Sequence, residues 1–129
     1  MKLKFLFLAS LLMISSMAFV SPISTPPKKM LRHVVLFKFK DSATPAQIKE
    51  VENAFRKLPS KIKEIKGFEW GMENSPEGLS QGFTHVFFVT FDSEEGRAIY
   101  LPHPDHKEFG KLLQPYLEKA LVVDYWTKE

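Results

Sequence analysis

The stretch YLPHPDHKEF, residues 100–109, sets Tyr100, His103 and His106 around two prolines. The remaining histidines, His33 and His85, lie upstream in runs of alternating apolar residues. A phenol and a neutral imidazole held together can do acid–base chemistry on a carbonyl compound. His106 falls in the first turn of a helix opened by Pro104, where the positive end of the helix dipole disfavours an imidazolium and favours the neutral base. When His106 removes a proton from the carbon beside a carbonyl, Tyr100 can hydrogen-bond the oxygen and stabilise the enolate. An aldol-type closure, its reverse or an isomerisation follows from that pair alone, so no cofactor is expected.

The same residues also fit structural roles. His103, just before Pro104, can cap a helix; His33 and His85 can be core histidines bonded to backbone or to each other; Tyr100 can be a packing aromatic. A metal reading joins His103 and His106, three apart with Asp105 between them, to His33 or His85 around zinc or copper. The chain has no cysteine and no second carboxylate placed to complete that set, so no metal is expected. Gly67, Gly71 and Gly82 lack the strand-to-helix spacing of a phosphate-binding loop. Trp70 and Trp126 read as sheet-packing residues before a sugar platform.

These residues need a scaffold, and the apolar pattern supplies it. LRHVVLFKFK, from Leu31, puts His33, Val35, Phe37 and Phe39 on one face and Val34 and Leu36 on the other, the mark of a strand. Thr44, Pro45 and Gln47 form a helix-capping pattern, and Ile48, Val51, Phe55, Leu58 and Ile62 then recur at helical spacing. GFEWGMEN sets Phe68, Trp70 and Met72 against Glu69 and Glu73, predicting a second strand near a sheet edge, with SPEGLSQG as the loop after it. FTHVFFVTFD is a third strand, with His85, Phe87, Val89 and Phe91 opposite Val86 and Phe88. Ser93 caps a short helix interrupted by Pro102, and Pro104 starts another carrying Phe109, Leu112, Leu113 and Tyr116. LVVDYW is the last strand.

The order β-α-β-β-α-β belongs to the α+β class, as a ferredoxin-like sandwich with its helices on one face of an antiparallel sheet. The first and third strands are neighbours in that arrangement, so His33 and His85 are expected side by side facing the helices. The opposite face carries Val34, Leu36, Val86 and Phe88, a patch too apolar to leave in water. Pairing two sheets face to face in a dimeric α/β barrel buries it, so a homodimer is expected.

The 129 residues hold one domain. The opening MKLKFLFLASLLMISSMAFVS has Lys2 and Lys4, an apolar run from Phe5 to Met17 and small residues at Ser16 and Ala18. That layout predicts a signal peptide over residues 1–18, a Pro/Ser/Lys-rich linker over 19–30 and a domain over 31–127. The expected location is exported, periplasmic or secreted, and the run is too short to predict a membrane span once the signal is cleaved. Formal charge is +3, and removing Lys2 and Lys4 leaves 16 basic residues against 15 acidic ones. The lysines are spread among glutamates, which argues against nucleic acid as a partner. Lacking disulfides, the domain must be stabilised by packing, and its 12 phenylalanines serve that.

In sequence order, RHVVLFKFK, GFTHVFFVTFD, YLPHPDHKEF and LVVDY resemble the stress-responsive A/B barrel (Dabb) domain family of small dimeric α/β barrels, over about Leu31 to Tyr125. A plant member of that family folds a linear polyketide into a ring with a catalytic tyrosine and histidine. Laid on its motifs, these positions are Tyr100 and His106; His33 and His85 match pocket positions and His103 a further family histidine. The resemblance implies a dimeric domain that binds a small carbonyl-containing or aromatic, apolar molecule and transforms it in cyclase- or lyase-like fashion. Its alternative is a non-enzymatic stress-response or interaction protein with structural histidines. The export expected here keeps the plant substrate from being carried over.

Overall fold

The computed structural model describes residues 28–128, so the signal peptide and nearly all of the linker lie outside the described residues. Within them the chain forms β1 (Leu31–Phe39), α1 (Pro45–Lys61), β2 (Gly67–Met72), β3 (His85–Phe91), α2 (Glu94–Tyr100), α3 (Pro104–Leu113) and β4 (Leu117–Trp126). The strands make one antiparallel sheet in the order β2-β3-β1-β4, the ferredoxin-like topology. The sheet is open, with β2 and β4 as its edges.

Local chemistry starts and stops the elements where the residues demand it. Thr44 and Gln47 complete a capping box: the Gln47 amide donates to Thr44 Oγ1 over 3.3 Å, and the Thr44 amide donates to Gln47 Oε1 over 2.9 Å. From that start, α1 sets Val51, Phe55 and Leu58 on one buried stripe. Phe55 is the hub of the core, its ring 4.4 Å from Phe87 of β3 and 4.5 Å from Phe109 of α3. Val35, Phe37 and Phe39 of β1 and Val89 and Phe91 of β3 complete the layer under the helices.

β4 begins four residues before the LVVDYW run. The helix expected to carry Tyr116 ends at Leu113, and although Glu118 and Lys119 are good helix formers, pairing with β1 draws the chain into the strand from Leu117. Lys38 Nζ holds Glu118 at 2.7 Å across the pair, and the register shifts between Lys38 and Phe39 to take in that one extra residue, Glu118.

On the far side of the sheet, the β1, β3 and β4 registers line up Phe88, Val34 and Val123 in one row and Val86, Leu36 and Leu121 in the next. Among the described residues no helix covers this face: Leu121 is 43% and Val123 48% exposed. Among the described residues no helix is long and apolar enough to cross a membrane.

Candidate active site

The break between α2 and α3 builds the site. Ser93 caps α2 through the Gly96 amide, 3.0 Å away, and the helix ends at Tyr100. His103 then caps α3, its Nδ1 accepting from the Asp105 amide over 3.2 Å, and Pro104 supplies the first helical residue. The turn brings the Tyr100 and His106 rings to 4.2 Å between centroids.

Tyr100 is fully buried, and its hydroxyl has no hydrogen-bond partner among the described residues. Burial, seconded by the negative charge of Asp124, raises its pKa and keeps the phenol protonated. His106 Nδ1 lies 2.9 Å from the Leu101 carbonyl, which can only accept, so Nδ1 carries the proton and Nε2 keeps its lone pair. Burial pushes the His106 pKa below its ordinary value, and the charges of His33 and His103 act the same way against the opposing backbone hydrogen bond. The neutral base expected from the helix dipole therefore owes its state first to burial.

The third member is His33 on β1. Its Nδ1 is 2.7 Å from Asp124 Oδ1, and Asp124 Oδ2 accepts from an Arg97 guanidinium nitrogen over 2.6 Å. The His33 ring stands edge-on to Tyr100, centroids 5.8 Å apart. Together His33, Tyr100 and His106 line one end of a cleft of about 270 Å³ between the helices and the inner side of β4. Its walls are otherwise apolar, from Val35, Phe37, Phe109, Leu113 and Val122. A larger hollow of about 550 Å³ between α1 and α3 is rimmed by Lys49, Glu50, Lys57 and Glu108 on open surface. Its titratable groups are surface lysines and carboxylates, with Lys61 paired to Asp105 over 3.0 Å, and it is lined by no histidine or tyrosine, so the smaller cleft is the candidate site.

Two expected pocket residues lie elsewhere. His85 does not sit beside His33: the β1–β3 register pairs it with Phe37 and pairs His33 with Val89, four residues or about 13 Å along the strand. There His85 Nε2 is 3.1 Å from Glu52 Oε1, its Nδ1 is 2.8 Å from Thr84 Oγ1, and the Trp70 ring lies nearly parallel. Burial alone would raise the Glu52 carboxyl, but hydrogen bonds from Lys49 and His85 outweigh it and hold the pKa low. Thus His85 clasps α1 to the sheet, while His103 spends Nδ1 on the helix cap and is not among the residues that line the cleft. Among the described residues no three His, Cys, Asp or Glu side chains cluster to hold a metal.

The reading of the sequence missed Asp124 and Arg97. Asp124 was open to it, being the one acidic residue in the run LVVDYW and alternating onto the same face as Val122. Arg97, one helical turn before Tyr100, had no signal until β4 was placed.

With this geometry in hand, comparisons with known proteins are informative. The sequence model of the family described as Stress responsive A/B Barrel Domain matches residues 31–127. A stress-response A/B barrel domain-containing protein of Arabidopsis thaliana is 42% identical over 98 residues, covering 76% of this chain and 90% of that protein. Olivetolic acid cyclase of Cannabis sativa is 35% identical over 99 residues, covering 77% and 98%. Among solved structures, the hydroxynitrile lyase of Passiflora edulis superposes with a TM-score of 0.74 at 30% identity, covering 80% of this chain and 97% of that one. A dimeric protein of unknown function with a ferredoxin-like fold from Bacteroides fragilis gives 0.63 at 30% identity, covering 76% and 96%.

Proposed function

The chain belongs to the stress-responsive A/B barrel family, and on that premise we propose that its cleft binds a small carbonyl compound with an apolar or aromatic body and transforms it by Tyr100/His106 acid–base chemistry. The observation that carries this reading is the Tyr100 hydroxyl, buried without a partner next to an imidazole whose free nitrogen is Nε2. A buried donor left unpaired costs about 1–3 kcal/mol, and a ligand oxygen in the cleft would recover it. The volume suits roughly nine water-sized groups at about 30 Å³ each. The polar side chains of the lining adjoin one another, His33 to Tyr100 and Tyr100 to His106, which favours a single oxygen-bearing head. Asp124, already paired with Arg97 and His33, presents no free charge to that head.

In the proposed step His106 Nε2 takes a proton from the carbon beside the carbonyl. The electron pair moves onto oxygen, where Tyr100 donates a hydrogen bond to the enolate. The enolate carbon then attacks a second carbonyl, and the proton returns from the imidazolium to the new alkoxide. Run backwards, the same steps cleave the bond; the cyclase among the similar proteins supports the closing direction, and the hydroxynitrile lyase supports a related cleavage in which the base takes a hydroxyl proton, the carbonyl forms and cyanide leaves in place of an enolate. Acetophenone, an apolar ring with one carbonyl and acidic methyl protons, tests the first step alone. In heavy water the protein is expected to speed deuteration of its methyl group; a rate equal to that of buffer with free imidazole would sink the catalytic part of the proposal. A purely structural histidine set has support in His103 and His85, and under that reading no exchange occurs.

The apolar sheet face and the dimeric relative support a homodimer, and the lysine-flanked apolar leader supports export. Full-length protein recovered from an exporting host is expected to sediment as a dimer and to lack residues 1–18 by intact mass. A monomer, or a chain that keeps its leader inside the cell, would refute the corresponding part.

A further inference from the structure

We infer that Arg97 is a positioning residue of this cleft: its guanidinium holds Asp124 and balances its charge, and through Asp124 it orients the imidazole of His33 against Tyr100. The inference rests on the reading of the cleft given above and extends it to a side chain outside the lining. Arg97 and Tyr100 are three residues apart on α2 and so share a face of the helix. Tyr100 turns into the core, while Arg97 reaches the inner side of β4. Asp124 divides its two oxygens, Oδ2 at 2.6 Å from Arg97 and Oδ1 at 2.7 Å from His33 Nδ1. Directed by those two bonds, Asp124 fixes which His33 nitrogen carries a proton, and Nε2 is left as the nitrogen free to meet a ligand.

A simple tie between helix and strand would not need to share its carboxylate with a histidine of the site. Here the sharing makes the charge of Arg97 felt at His33. The other titratable or charged groups facing the pair are Tyr100 from α2, His106 from α3 and Asp124 itself from β4; on β3, Val89 opposite His33 and Phe91, with its ring 6.3 Å from that of His33, carry none. With Arg97 gone, no other Lys or Arg among the described residues pairs with Asp124. The carboxylate then keeps only its bond to His33, is free to turn, and lets the imidazole turn with it.

The test is the His33 ring, followed by NMR on the purified protein without ligand. Arg97→Gln is expected to free the imidazole, so that the His33 Nδ1 proton resonance, held by Asp124 in the parent, is lost to exchange with water and the ring contact with Tyr100 weakens. Arg97→Lys, which keeps the charge but not the fork, is expected to fall between the parent and Arg97→Gln. If Arg97→Gln only lowers the melting temperature and leaves the His33 Nδ1 proton resonance as it was, Arg97 is a structural tie and the inference falls. Should Arg97→Gln fail to fold, Arg97→Lys decides alone: a broadened His33 Nδ1 proton resonance supports positioning, and an unchanged resonance refutes it. Because no ligand is present, a failure of acetophenone to react overturns the proposed function without touching this result.

Discussion

Tyr100→Phe is expected to make the protein more stable and its site worse at once. The substitution removes a buried hydroxyl that has no partner, at no loss of packing volume. Relieving that group is worth about 1 kcal/mol, which for a domain of this size lifts the melting temperature by roughly 4–8 °C. The same hydroxyl is the donor expected at the enolate oxygen, and losing such a donor costs about 10²–10³ in rate. Affinity for acetophenone should fall less, by roughly threefold to tenfold, because a neutral hydrogen bond contributes about 0.5–1.5 kcal/mol in the ground state. Calorimetry and the deuteration rate check both halves. If the melting temperature drops instead, the hydroxyl is satisfied in solution and its place in the site is wrong.

His106→Ala is expected to lower the deuteration rate by about 10²–10⁴, the range for a general base. The pH profile adds a second mark. With its pKa held below the ordinary 6.5 by burial, His106 stays a free base down through neutral pH, and the acid limb of the parent profile lies below 6.5. The linkage runs the same way: between the folded value and 6.5 the unfolded chain binds more protons at this position, so stability falls as pH falls through that window. The variant should lose that slope and keep the rest of its pH dependence. A rate within threefold of the parent would remove His106 from the chemistry and leave it as a packing residue.

Much of the architecture was open to reading because alternation and helical spacing are strong signals in short, apolar elements. His33, Val35 and Phe37 declare one sheet face, and Thr44 with Gln47 declares a helix start. Alternation correctly puts His33 and His85 on the same face, but it says nothing of how far apart they lie. That distance is set by the register of β1 against β3, two strands joined through α1 and β2, and the register pairs His85 with Phe37 and His33 with Val89. Hence a cluster of histidines expected in one pocket divides into His33 and His106 in the cleft and His85 and His103 outside it. Asp124 could have been found from its lone charge in LVVDYW, whereas the partnership of Glu52 with His85 spans 33 residues and depends on how α1 lies on the sheet.

That division lets the histidines act as reporters for the central claim, that the cleft under α2 and α3 is a carbonyl-binding site. The measurement is a titration of the purified protein with acetophenone, following the ring protons of His33, His85, His103 and His106 together. The account predicts that His33 and His106 shift along one saturating curve while His85 and His103 stay in place. Shifts of His85 or His103 as large as theirs, or no shift at all in a folded protein, would contradict it.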